Sequence, residues 1–153
     1  MFLFANIMIR IKERCFMKNI MVCVTQQKTC DRLIYEGAEL LKDEEGELFV
    51  IHVAQEGFNF LGHSKEGEAL EYLFDKAKKY GANLTVIRSM DILQTFCDLV
   101  DKNNITHIIL GEPGDVKKQD DNDIVDGLRK RVEDRAEVIE VPFAKTHPID
   151  VEL

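Results

Sequence analysis

A chain of 153 residues with 28 acidic and 20 basic side chains carries a formal charge of -8, which disfavours a nucleic-acid partner, since binding to that backbone rests on clustered Lys and Arg. The length fits one ordinary domain, able to bury about two thirds of its unfolded surface without a metal or disulfide staple. Cys15, Cys23, Cys30 and Cys97 form no Cys-x-x-Cys pair and have no histidine at finger spacing. Neither a zinc site nor a dithiol centre is encoded, and a reducing cytoplasm is the expected compartment.

The first sixteen residues differ from the rest. Arg10, Lys12 and Arg14 against Glu13 give this segment +2 and leave -10 for the remainder. Its apolar run, Met1 to Ile9, is far short of the ~20 residues that span a bilayer, and its positive charges follow the run instead of leading it as in an export signal. Two readings remain: a short amphipathic segment that docks on a partner or membrane surface, or upstream sequence with the true start at Met17. The second is preferred, because Met17-Lys18-Asn19 leads directly into a strand. The chain thus divides into residues 1–16, an extension or mis-assigned start, a domain over 17–142, and a C-terminal tail over 143–153.

From Lys18 the hydrophobic period alternates between strand and helix. Ile20 to Val24 is a continuous apolar run expected for a strand buried on both faces. Leu33, Ile34, Gly37, Ala38 and Leu41 recur at helical spacing until Asp43-Glu44-Glu45-Gly46 breaks them. Strand two is predicted over Leu48 to Val53. After it comes a helix with Ala69, Leu70, Leu73, Ala77 and Tyr80 on one side, stopped by Gly81. Strand three runs from Leu84 to Ile87, and Asp91 caps a helix that buries Ile92, Leu93, Phe96, Cys97 and Val100. Strand four, Ile105 to Leu110, enters the turn Gly111-Glu112-Pro113-Gly114. Ile124, Val125, Leu128 and Val132 mark a fourth helix, and Val138 to Val141 form strand five, closed by Pro142. Alternating βα units of this length predict an α/β fold, a single open doubly wound parallel sheet with helices on both faces. Five strands in the order 3-2-1-4-5 are expected.

In such a sheet a ligand sits beyond the carboxyl ends of the strands where the order reverses, here between strands one and four. The walls of that crevice are expected from Thr25, Gln26, Gln27 and Lys28 after strand one, the segment after Val53, and Gly111 to Gly114 after strand four.

Four stretches carry a family resemblance: IMVCV followed by a polar turn, His52-Val53 ending strand two, Ser89-Met90-Asp91 opening helix three, and IILGEPG after strand four. Together they resemble the universal stress protein pattern over essentially all of Lys18 to Pro142. VCVTQQKTCDRLIYEGAELL is most similar to the stress-protein-like domain of potassium-sensing histidine kinases of the KdpD type, where the strand-one turn is polar and an Arg-Leu-Ile opens helix one, as Arg32-Leu33-Ile34 do here. The resemblance implies the adenine nucleotide alpha hydrolase-like fold, a homodimer paired through strand five, and ATP or another adenine nucleotide as the ligand to consider. In the nucleotide-binding branch an Asp ends strand one, and a Gly-x-x-Gly turn is followed nine residues later by Gly-Ser or Gly-Thr. Here Thr25 replaces the Asp, and Ile124-Val125 fall at the Gly-Ser position. Only Val53, Gly111 and Gly114 carry over.

The physical chemistry agrees with that loss. A phosphate cradle needs backbone N–H groups open to close approach and a helix N-terminus free to face the anion. Ile124 and Val125 are expected to fill that space with β-branched side chains, and Asp120, Asp121 and Asp123 to repel phosphate at short range. Those acids read first as helix caps. As a cation site the run lacks the Gly and the spaced Glu of a calcium loop. Lys117 and Lys118 read as solvated loop charges. His52 and His107 fall in strands, where packing roles are commoner than ligation, and His63 and His147 stand in loops without metal spacing.

No Gly-x-Ser-x-Gly elbow, paired catalytic carboxylates or Walker lysine is present, so no enzyme is expected. A phosphorylated receiver domain is excluded as well, because Thr25-Gln26, Arg88-Ser89 and Pro142 stand where its acids and lysine would be. Two function classes remain. One is a universal stress protein-like, non-catalytic regulatory or interaction domain with a degenerate ATP phosphate loop, in which Phe58, Phe60 and Leu61 cover the pocket, meet a protein partner or tuck onto the core. The other is a sensor of ATP or a cyclic dinucleotide held by the strand-one turn. The candidate nucleotide-binding residues are Thr25, Gln26, Gln27, Val53, Gly111 and Gly114, with no catalytic residue, metal or required cofactor.

Overall fold

The computed structural model describes residues 17–24, 27–57, 65–111 and 119–142. The segments 1–16 and 143–153, and the loop positions Phe58, Phe60, Leu61, His63, Lys117, Lys118 and His147, lie outside the described residues. In chain order the elements are β1 (Lys18–Cys23), α1 (Gln27–Leu41), β2 (Gly46–Gln55), α2 (Glu66–Lys79), β3 (Asn83–Ser89), α3 (Ile92–Lys102), β4 (His107–Gly111), α4 (Gln119–Val132) and β5 (Glu137–Val141). The five strands make one parallel sheet in the order β3-β2-β1-β4-β5, as the alternating pattern predicts.

The central strand explains the layers. Along β1, Met21 and Cys23 pack into one core cluster while Ile20, Val22 and the following Val24 pack into the other, so the run IMVCV is apolar because both faces are covered. The two crossovers through α1 and α2 carry the chain from β1 out to β3, and those through α3 and α4 carry it back past β1 to β5. Right-handed crossovers in opposite directions must lie on opposite faces. Accordingly Leu33, Ile34, Leu73 and Ala77 from α1 and α2 share a cluster with Val50 and Ile109. Phe96, Val100, Leu128 and Val132 from α3 and α4 share the other with Ile51 and Ile108. Burying each Leu, Ile or Val of these clusters contributes about 1.5–3 kcal/mol, more than any surface ion pair.

Two helix ends follow their local sequence. Asp91 accepts a hydrogen bond from the Gln94 amide at 3.0 Å, the expected N-cap of α3. Gly81 takes φ +66 past the end of α2, where the amides of Gly81 and Ala82 reach back to Lys78 and Ala77 at 3.1 and 2.9 Å. That pair is a Schellman closure.

Helix starts depart from the prediction. α1 begins at Gln27 and α4 at Gln119, earlier than the apolar periodicity suggests, because polar first turns carry no hydrophobic stripe yet hold good helix formers and, in α4, acids that suit a helix N-terminus. Gln27 and Lys28 therefore belong to the first turn of α1 and not to a loop after β1. Ile124 and Val125 lie in the second turn of α4 and pack into the core with Phe96 and Val132. They are not wedges in a phosphate space. The strand limits differ by a few residues, most in β2, which extends from Gly46 to Gln55.

Candidate functional site

The strand order reverses between β1 and β4. β1 is in register with β2 as far as Cys23 opposite Ile51, and with β4 as far as Val22 opposite Ile109. Continuing both registers brings Val24, His52 and Gly111 to one level at the carboxyl edge, with Val141 beside Gly111. Val53 follows one residue further along β2 and is buried. Of the residues expected from the sequence, Val53 and Gly111 thus lie at this edge, on the two strands that flank β1. Gln27 opens α1 just behind it. Thr25, Gln26 and Gly114 lie outside the described residues.

Among the described residues three polar side chains are buried, all on β2 or α1, and none was expected in the site from the sequence. His52 is 3 % exposed, with Nδ1 at 2.7 Å from the Val24 carbonyl oxygen. Burial holds its pKa below the ordinary histidine value and the nearby Arg88 charge acts in the same direction, both outweighing the hydrogen bond to Val24. Arg32 is also buried, and its Nη1 donates to the carbonyl of Pro142, the residue after β5. A Cβ placed on Gly111 would lie 3.5 Å from Leu33 Cδ1 and 4.0 Å from Arg32 Nη2. A guanidinium on α1 therefore underlies the ends of β4 and β5.

Asp31 is the third. Its Oδ2 accepts from the Tyr72 phenol at 2.8 Å and pairs with Lys76 Nζ at 3.3 Å. The neighbouring Cys30 thiol is pushed up to about 12 by burial, with the negative charge of Asp31 adding to it. Burial first, then the hydrogen bond to Asp31, also raises the Tyr72 phenol above its ordinary range. In the sequence the signal was present but faint: Asp31 and Arg32 are the only charged residues between Cys30 and Ile34, at the borders of an apolar helical stripe.

These shifts share a consequence. His52 stays neutral because its pKa is lowered, while Cys23, Cys30 and Tyr72 stay neutral because theirs are raised. Groups locked this way at neutral pH hold structure and donate hydrogen bonds; a general acid or base needs a pKa near the working pH. His107, the other strand histidine, is half-buried, with Nδ1 2.7 Å from Thr106 Oγ1 and Nε2 3.7 Å from Glu137. Cys23 and Cys97 are buried as small hydrophobes, as expected. Among the described residues no three His, Cys, Asp or Glu side chains gather into a metal site, and no helix is long and apolar enough to cross a membrane.

No protein-family model matches the chain, and no curated protein matches it. Solved structures do. A universal stress protein in complex with cAMP is 12% identical with a TM-score of 0.60, over 84% of this chain and 99% of that one. A universal stress protein from Archaeoglobus fulgidus is 16% identical with a TM-score of 0.57, over 82% and 93%. The universal stress protein from Archaeoglobus fulgidus in complex with dAMP is 13% identical with a TM-score of 0.52, over 82% and 97%. With the strand order 3-2-1-4-5 and this placement of helices, the chain has the fold of the universal stress proteins.

Proposed function

We propose that this chain is a regulatory domain of the universal stress protein type that holds an adenine mononucleotide at the carboxyl edge of β1 and β4 and does not turn it over. The observation that carries the reading is that Val24 and Gly111 stand level at the carboxyl ends of β1 and β4, where the strand order reverses, with Val53 on the neighbouring β2, the place a parallel sheet offers to a ligand. The ligand class is supported by proteins of the same fold described in complex with cAMP and dAMP. Thr25, Gln26, Gln27, Val53, Gly111 and Gly114 are the contacts in this reading.

The phosphate end argues for a short ligand. Asp120, Asp121 and Asp123 occupy the opening turns of α4, where a helix N-terminus would otherwise favour an anion. Their charge opposes a triphosphate more than a monophosphate. The absence of turnover is supported by His52, Cys30 and Tyr72, each held in its neutral form. The same reading makes the chain a cytoplasmic signalling protein related to the KdpD-type stress-protein-like domain, paired as a homodimer through β5.

Calorimetric titration with AMP, cAMP and ATP tests it. One site per chain is expected for AMP or cAMP, with ATP weaker and unhydrolysed. Tighter binding of ATP, or its hydrolysis, overturns the reading. A nucleotide-free interaction module is the second reading, favoured by Phe74 and Met90, which are 56% and 74% exposed. No binding by any of the three nucleotides would select it.

A further inference from the structure

Val24 is where β1 leaves the sheet, and both of its backbone polar groups are tied to β2. Its N–H donates to the Ile51 carbonyl at 3.0 Å, one step past the last paired residue of the strand. Its carbonyl meets His52 Nδ1 at 2.7 Å. A carbonyl oxygen can only accept, so Nδ1 carries the proton, and with the ring held neutral by burial His52 is the Nδ1–H tautomer.

The need for a side chain here is physical. Val24 is 1% exposed, and a buried carbonyl at a strand end requires a donor. Val24 is the last residue described before α1, and its peptide stands level with Gly111 at the carboxyl edge of the sheet. His52 reaches it from the face that carries α1 and α2, where Val24 itself is packed.

We infer that His52 is the positioning residue of the ligand edge: its Nδ1–H holds the Val24 peptide in the orientation that a ligand at the carboxyl ends of β1 and β4 requires. The inference deepens the proposed binding reading and rests on it for its functional meaning, while its structural content stands apart from any nucleotide.

Two measurements on the full chain test it. Ring nitrogen shifts of His52 in the ¹⁵N-labelled wild type report the tautomer directly; a proton on Nε2 with Nδ1 bare overturns the inference. His52→Asn keeps an amide donor near the position of Nδ1, whereas His52→Leu removes it. Exchange of the Val24 amide, which is bonded to the Ile51 carbonyl, is expected to rise about tenfold in His52→Leu and to return to within about threefold of wild type in His52→Asn. The Kd for AMP should follow the same order. Equal exchange in wild type and His52→Leu overturns the inference, as does a His52→Asn variant no better than His52→Leu. Should His52→Leu fail to fold, the wild-type tautomer and the exchange of His52→Asn still decide. A wild type that binds neither AMP nor cAMP refutes the proposed function, and the exchange and tautomer results judge His52 independently.

Discussion

The phenol of Tyr72 donates to Oδ2 of Asp31 across 2.8 Å, joining the middle of α2 to the start of α1. The same oxygen faces Lys76, while Oδ1 is buried and has no hydrogen-bond partner among the described residues. Helix α1 is thus held against α2 through Oδ2 of this carboxylate.

Removing the two ends of that bond should not cost the same. Asp31→Ala leaves a half-buried phenol and an ammonium without their acceptor and is expected to lose about 1–3 kcal/mol, whereas Tyr72→Phe deletes the donor alone and should lose about 0.5–1.5 kcal/mol. Lys76 is partly exposed, so its share is small. Urea denaturation of both single variants and the double variant is expected to give a coupling of at least about 0.5 kcal/mol.

Close packing of α1 on the sheet depends on Gly37. A Cβ there would stand 2.6 Å from Val22 Cγ2 and 2.9 Å from Leu48 Cδ1, both from buried strand residues that have little room to move. Gly37→Ala is expected to destabilise by about 1–3 kcal/mol through overpacking, outweighing the gain in helix propensity of roughly 1 kcal/mol. A melting temperature at or above wild type would contradict this.

Acid should act through His52. Its folded pKa lies below the unfolded value of about 6.5, so as pH falls the unfolded chain takes up the proton first. The contribution is complete above about pH 6.5 and is lost as the pH falls from there through the lowered folded pKa. Carboxylates titrate lower in the same range, so the expected result is a difference: stability of His52→Asn should fall less steeply than wild type between about pH 6.5 and 5. Parallel curves would contradict it.

At Gly111 the prediction separates stability from binding. A Cβ would meet Leu33 at an ordinary contact distance of 3.5 Å, so Gly111→Ala should fold within about 0.5 kcal/mol of wild type. If the edge takes a nucleotide by close backbone approach, the added methyl should weaken AMP binding severalfold. Unchanged affinity would remove Gly111 from the contacts.

The strand and helix pattern was legible because it is local. A buried central strand must be apolar along its whole length, as IMVCV is, and an amphipathic helix must repeat its apolar residues, as Ile92, Phe96, Cys97 and Val100 do. Helix starts were less legible, since the first turns at Gln27 and Gln119 are polar and place nothing in the core. The crevice followed from topology, while Val53 and Gly111 were singled out by the family resemblance.

What the chain by itself determined is therefore the alternation of elements and the reversal of strand order, which marks the edge where a parallel sheet offers a crevice, all consequences of short-range periodicity and right-handed crossovers. Only the tertiary structure decided which polar side chains serve that edge. His52 meets Val24, Asp31 meets Tyr72 and Arg32 meets Pro142 across separations of 28, 41 and 110 residues. Such pairings depend on sheet register and on the rotation of α1 about its axis, and neither is written in the spacing of residues along any one segment.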